Sequence, residues 1–356
     1  MSALAARPAV PPEAHATQAS VHRARARARR HTGWVVGALG GAVAALLAAT
    51  VLLGTYTVTI PDFVRVVSGE TIPGASFIVL ENKLPRAVLA VLVGAAFGIA
   101  GVVFQTMLRN PLASPDIIGV SMGASATAVV GIAFFGAGGL VLQGSALLGS
   151  VAVALLIALL AQRGGATGHR LILVGIGIAA VLQAVTSWVL TRTDIHVAAD
   201  ALVWLNGSLG NATWERIRSL GVLLAVLLPA VAVVARRLPV MELGDDAAAG
   251  VGVHVEQSRR LLLLLGTALA AAGTAAAGPV AFVAFLSGPI ARRLLRGRVS
   301  LVAAGLVGAA VVLAAEYVSV NAIPGTALPV GVVTGLLGGP FLLWLLATAN
   351  RSGRGG

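Results

Sequence analysis

The sequence predicts an all-α protein that crosses a membrane about ten times, and three observations predict it. Hydrophobic residues make up 58% of the 356-residue chain while charged residues make up only 11%, against roughly 25% in soluble domains. Mean hydropathy is +0.94, so the chain is too poor in charge to cover itself with a polar surface and lipid must be part of its solvent. The apolar residues also fall into successive runs near the ~20 residues that an α-helix needs to cross about 30 Å of hydrocarbon. Forty-four glycines would be costly in soluble helices, but in membrane helices they permit close backbone approach.

From the N-terminus, residues 1–32 are rich in Ala, Pro and Arg and end in the basic run 21–31. They are expected to form a disordered cytosolic tail that fixes orientation and touches anionic lipid. A twin-arginine export signal built on Arg29 and Arg30 is the alternative. The apolar run 33–54 that follows is too long for a cleaved signal core and reads as the first span. Further spans are expected at 87–107, 118–137, 142–162, 171–190, 219–235, 261–280, 281–291, 300–319 and 328–348. The run 281–291 is short and is assigned a crossing only because the topology requires one. One membrane domain therefore covers 33–348, with a C-terminal tail at 349–356.

Charge fixes the expected orientation. With the N-terminus in the cytosol, ten crossings return the C-terminus there. Nineteen of the 25 Lys and Arg residues then lie on the cytosolic side: six in the tail, and Arg109, Arg163, Arg170, Arg236, Arg237, Arg259, Arg260, Arg292, Arg293, Arg296, Arg298, Arg351 and Arg354. Inverting the protein would invert that bias. The net charge of +12 follows from these flanking arginines and argues against a nucleic-acid partner.

Several chemistries are excluded or unsupported. The chain has no cysteine, hence no disulfide and no thiolate metal site. It has one lysine, Lys83, and no GxxxxGK[ST] loop, so it is not its own P-loop ATPase. The six histidines fall in tails or loops without metalloprotease spacing, so neither a catalytic nor a metal site is expected. Gly37/Gly41, Gly94/Gly98 and Gly335/Gly339 are GxxxG pairs that signal tight helix packing. The notable polar residues within spans are Gln105, Gln183, Ser187 and Glu316. Gln183 and Ser187, one turn apart, either line a wet path or hydrogen-bond a neighbouring helix. Glu316, the one intramembrane acid, would be the carrier in a proton-coupled transporter.

Between spans, Pro111 and Pro115 stop a helix in RNPLASPD (109–116), and Asp116 falls near the positive N-terminal end of the next one. The segment 238–258 is the longest expected cytosolic loop between spans. It is acidic through Glu242, Asp245, Asp246 and Glu256, and Ala247 to Ala249 favour a short helix. Lys83 and Arg86 sit beside an expected Leu84-Pro85 turn at the outer end of the second span, where cations ordinarily snorkel, and 191–217 is expected to be an outer loop.

Five phrases in order resemble the FecCD family, the permease subunits of ABC importers for iron siderophores, haem and cobalamin. They are the block 82–125, from Leu84-Pro85-Arg86 through Arg109-Asn110-Pro111-Leu112-Ala113 and Pro115-Asp116 to Gly123-Ala124; WLNGSL (204–209); LGDDAAAGVGV (243–253); GPVAFVAFLSGPIARRL (278–294); and LPVGVVTGLLGGPFLLWLL (328–346). The resemblance implies a type II ABC importer permease fold, working as a homo- or heterodimer in the bacterial cytoplasmic membrane. Two cytosolic ATPase subunits, an extracytoplasmic siderophore-binding protein and membrane lipid would be its partners, with no cofactor bound by this chain. It implies an ATPase-coupling loop at Leu243, Gly244, Asp245, Asp246, Ala247, Gly250 and Gly252, with Arg109 nearby. It further implies that Lys83 and Arg86 receive acidic residues of the binding protein, and it leaves Gln105, Gln183 and Ser187 as pathway candidates. Two departures stand out: many relatives have Pro-His where this chain has Gly288-Pro289, and a basic position in the ninth span is Val320.

Overall fold

A computed structural model describes residues 12–116, 119–162, 168–323 and 325–352. Every regular element among them is helical. α1 (Pro12–Leu52) is followed by the short α2 (Ile60–Val67) and α3 (Ala75–Phe77), then by a π-helical stretch Ile78–Lys83 that runs directly into α4 (Leu84–Met107). Next come α5 (Val120–Phe135), α6 (Gly139–Gln162), α7 (Gly168–Arg192), α8 (Ile195–Leu205) and α9 (Trp214–Ala235). The short α10 (Leu238–Met241) and α11 (Asp245–Gly250) lead to α12 (Val255–Ala277), α13 (Val283–Leu294), α14 (Leu301–Asn321) and α15 (Val330–Ser352). Several starts are set by side-chain caps. Asp194, Thr213 and Ser300 each accept from a backbone N–H in the first turn of α8, α9 and α14.

Seven helical stretches among the described residues are long and apolar enough to cross a membrane: His22–Leu52, Ala75–Met107, Gly139–Leu160, Leu173–Arg192, Trp214–Ala235, Val255–Ala277 and Leu301–Asn321. The expected spans at 118–137, 281–291 and 328–348 correspond to α5, α13 and α15, which fall outside that set. α13 has 12 residues, a rise of roughly 18 Å, too short to cross ~30 Å of hydrocarbon alone. The residues before it, from Gly278 to Phe282, are not helical.

Three local expectations are corrected. The basic stretch of the tail is not unstructured from residue 12 onward: α1 starts at Pro12 and continues through the arginines into the apolar run. Ala and Arg have the high helix propensity that permits this, and proline is tolerated in a first turn. Residues 1–11 and 353–356 of the expected tails, with Arg163 and Arg354, lie outside the described residues. The segment 191–217, expected as a loop, contains α8. Leu84-Pro85 is not a turn, because the chain is continuously helical from Ala75 to Met107. The π-helical stretch explains how. The Leu84 N–H bonds back to the Val79 carbonyl, five residues away, so the next bond in series would join Pro85 to Leu80. Proline has no N–H to give. The Leu80 carbonyl instead accepts from the Trp214 indole at 2.8 Å, tying this helix to the start of α9.

α4 is the central post, buried along most of its length. Its glycines explain how its neighbours come so close. A Cβ on Gly94 would lie 2.4 Å from the Gly308 carbonyl oxygen of α14, and one on Gly101 would lie 1.8 Å from that of Ala284 in α13. On the α12 side, Phe97 lies over Gly273 and Phe104 over Gly266. α1, α7 and α9 bury little within the chain and present apolar side chains such as Trp34, Trp188 and Val226 outward. Such faces suit lipid or a second membrane subunit.

Candidate functional site

The arginine-rich face, expected to be cytosolic, is organised by Arg109. α4 ends there with its last turn closed by two reverse bonds, Arg109 N–H to the Thr106 carbonyl (3.3 Å) and Asn110 N–H to the Gln105 carbonyl (3.1 Å). That arrangement places Arg109 at a left-handed position (φ 49°) usually given to glycine, at a cost of about 1 kcal/mol. The guanidinium is thereby aimed at the 238–258 segment. Its Nη2 donates to Asp245 Oδ1 at 2.6 Å and to the Met241 carbonyl at 3.3 Å. Arg259, from the first turns of α12, grips the same carboxylate through Nη2 at 3.0 and 2.9 Å. Arg259 first, and Arg109 with it, hold the Asp245 carboxyl below its usual range. Glu242 is held in turn by Arg292 of α13 at 3.4 Å, and Arg292 also donates to the Thr106 hydroxyl at 2.6 Å.

These bonds divide the expected coupling residues into two groups. Asp245 points inward and fastens the loop, as does the buried Ala248. Leu243, Asp246, Ala247 and Gly250 are exposed, and Gly244 and Gly252 supply the left-handed turns on either side of α11. Leu243 and Val251, 76% and 70% exposed, give this knob an apolar rim. Arg259, Arg292 and Glu242 were not singled out as site residues in the sequence. Only their position among the flanking arginines and loop acids marked them.

At the opposite face, Lys83 and Arg86 are both engaged within the chain. Lys83 Nζ donates to the Leu53 and Tyr56 carbonyls, at 2.7 and 2.5 Å, beyond the end of α1. Arg86 donates to the Gly210 carbonyl at 3.2 Å and lies 3.8 Å from Glu316, whose side chain is only 3% exposed. Glu316 therefore has a cationic partner that sequence spacing did not reveal.

A cavity of about 730 Å³ opens where α5, α7, α8 and the start of α13 meet. Gln183, Asp116, Ser121, Asn206, Phe282 and Phe285 contribute to its lining. Asp116 accepts a hydrogen bond from Ser121. Burial pushes its carboxyl above the usual range, and the Ser121 hydrogen bond acts in the opposite sense. Ser187 is exposed on α7 one turn from Gln183 and is not part of the cavity wall. Gln105 is elsewhere. It is buried between α4 and α13 and borders a separate cavity of about 380 Å³, beside Arg109, Glu242 and Arg292. No group of three or more His, Asp or Glu side chains among the described residues could hold a metal ion.

The model of the FecCD transport family matches residues 42–348. The chain belongs to the FecCD transport family. It is 38% identical over 299 residues to the ferric enterobactin transport system permease protein FepG of Escherichia coli, covering 84% of this chain and 91% of that one. It is 38% identical over 310 residues to the achromobactin permease CbrC of Dickeya dadantii, covering 85% and 88%. A cobalamin import permease, BtuC of Halobacterium salinarum, is 34% identical over 276 residues, covering 76% and 74%. Among solved structures, a metal-chelate type ABC transporter in an inward-facing conformation superposes with a TM-score of 0.78 at 24% identity, covering 89% of this chain and 99% of that one. That likeness establishes the fold. The FecCD match spans every helix from within α1 to within α15, so both the Arg109–Asp245 network and the cavity fall inside the family domain.

Proposed function

We propose that this FecCD chain is the membrane-spanning permease subunit of a bacterial ABC importer for iron(III)–siderophore complexes. One observation carries the reading: a chain of this family presents a compact, ion-paired knob, α10–α11, on its arginine-rich face. A loop that must transmit the closure of an ATPase has to be stiffly joined to its spans, and Arg109 and Arg259 join Asp245 to the end of α4 and the start of α12. The chain crosses the membrane ten times, with α5, α15 and the segment 278–294, in which a non-helical stretch precedes α13, completing the seven longer spans, and both termini in the cytosol. It pairs with a second permease, so that the pathway runs between the two and the cavity beside Gln183 opens onto it. Two separate ATPase subunits dock on Leu243, Asp246, Ala247 and Val251. A binding protein delivers the chelate at the opposite face, where Lys83 and Arg86 contribute by holding the outer ends of α1, α4 and α14 together.

The relatives include ferric siderophore permeases and a cobalamin permease, so cobalamin or haem is the second reading. The test is reconstitution of the permease with its ATPase and binding protein in vesicles. Uptake of iron-55 loaded on catecholate, hydroxamate and carboxylate siderophores is measured beside cobalamin and haem, with and without ATP. ATP-dependent uptake of a ferric siderophore is expected. Uptake of cobalamin or haem alone would transfer the assignment to that substrate.

A further inference from the structure

The short helix α13 connects the two functional regions at its two ends. At its start, Phe282 and Phe285 form part of the 730 Å³ cavity wall, packed edge to face with ring centroids 6.1 Å apart. At its end, Arg292 reaches Glu242 of the coupling segment. Between them the helix is deliberately incomplete. Pro289 has no N–H, so the Phe285 carbonyl one turn earlier lacks its helical donor. In a membrane interior such a carbonyl must find another partner. The Gln105 side chain of α4 supplies it, with Nε2 donating to the Phe285 oxygen at 3.1 Å. Gly288 makes the approach possible, since a Cβ there would lie 1.8 Å from Gln105 Oε1. Gln105, Gly288 and Pro289 thus form a three-residue fit.

This arrangement has the parts of a lever. The arm is stiff on either side of a break, one end is held by the coupling segment, and the other shapes the cavity. The break is tied to α4 by one hydrogen bond from Gln105, and the end of α13 nearer the loop is tied to it by a second, from Arg292 to the Thr106 hydroxyl. We infer that α13 carries motion of the coupling segment to the cavity and that Gln105 is the positioning residue on which it turns. The proposal rests on the ABC-importer reading and adds a route for coupling to it. Two contacts keep the arm in line: Arg293 lies over the Trp344 ring of α15 at 4.9 Å, and Ser287 donates to the Val283 carbonyl at 2.6 Å. A displacement of Glu242 would therefore act on α13 through Arg292, beside the Gln105 tie.

The experiment uses the assembled transporter and a single cysteine at Ala281, which lines the cavity, in a chain that has no other cysteine. The rate of modification by a soluble maleimide is compared in the resting and ATP–vanadate-trapped states. In the parent the rate should differ several-fold between the two states. In Gln105→Leu the difference should fall below twofold while ATP hydrolysis stays within about twofold of the parent. The double variant Gln105→Leu with Pro289→Ala restores a donor to the Phe285 carbonyl from within α13 but not the tie to α4, and it too should lose the difference. If the double variant recovers the parental response, Gln105 only satisfies a carbonyl and the lever is wrong. A Gln105→Leu protein that responds like the parent overturns it as well, as does a parent without any difference. Glu242→Gln, at the exposed end of the arm, gives a fourth reading that does not disturb the helix break, and an undiminished response there is also contrary. Absence of ATP-driven uptake in the parent would instead count against the proposed function.

Discussion

The Arg86–Glu316 pair allows a quantitative test of what the buried carboxylate is for. Glu316 is 3% exposed and Arg86 18% exposed, with 3.8 Å between Nη1 and Oε1. Removing one member of a buried pair typically costs about 3–5 kcal/mol, because the other charge is left uncompensated. Two features reduce that here. The separation is long, and both residues border cavities of about 230 Å³ and 60 Å³, large enough to admit water to the carboxylate. Arg86→Met should therefore cost ~2–3 kcal/mol, a drop in melting temperature of roughly 5 °C at about 2 °C per kcal/mol. Glu316→Gln removes the charge but keeps the shape and leaves Arg86 its bond to Gly210, so ~1 kcal/mol is expected. The double variant should recover most of the Arg86→Met loss, since no charge is stranded. Thermal unfolding in detergent, followed by size-exclusion fluorescence, measures all three. Uptake by Glu316→Gln should persist and stay ATP-dependent. The structural role is refuted if Arg86→Met is no less stable than Glu316→Gln. Uptake driven by a pH gradient without ATP, and abolished by Glu316→Gln, would refute the ABC assignment itself.

The α10–α11 knob and the helix packing give four more expectations. Leu243→Asp combined with Val251→Asp changes only exposed positions and should lower ATPase co-purification about tenfold while leaving the permease folded; equal recovery would remove the knob from the interface. Asp245→Asn should weaken ATPase association by loosening the loop, whereas the exposed Asp246→Asn should act only through direct contact, which stability measurements on the permease alone distinguish. Because the Asp245 carboxyl is held below its usual value near 3.8, its anchoring is complete above that value and is lost only as pH falls through the depressed one. Association measured from pH 5 to 8 should be insensitive to this group, and a loss near pH 6 that Asp245→Asn abolishes would contradict the assignment. Gly98→Val should prevent folding, since its Cβ would meet the Ala304 carbonyl oxygen at 2.3 Å, and normal membrane yield of that variant would refute the α4–α14 packing.

What could be read from the sequence was whatever hydropathy and punctuation encode locally. The seven long spans answer to apolar runs, and α11 falls on the Asp-Asp-Ala-Ala-Ala stretch with glycines at its edges. What could not be read was every decision made by a distant partner. Spacing offered nothing to join Arg86 to Glu316, or Arg109 to Asp245, because each pair meets only when separate helices pack. Gln105 and Gln183 looked alike as polar residues in spans, yet one is buried against a broken helix and the other faces an open cavity. Hydropathy also misjudged where α1 begins, since arginine suppresses the apolar signal without lowering helix propensity.

Two prolines show why this fold resists a local reading. Pro85 and Pro289 each deprive an earlier carbonyl of its donor, Leu80 in one case and Phe285 in the other. In water such a carbonyl would simply be hydrated, and the break would leave a flexible joint. In a membrane interior it must be satisfied by protein, as at the buried Phe285, and each of the two takes a side-chain donor from another helix: Trp214 of α9 and Gln105 of α4. A break of this kind becomes a tie between helices. The first binds the π-helical approach to α4 onto the start of α9; the second binds α13 onto α4 near the 238–258 segment. α4 is also packed closely against α14 through Gly94 and Gly308. Glu242 meets α13 at Arg292, and the start of that same helix lies in the wall of the cavity.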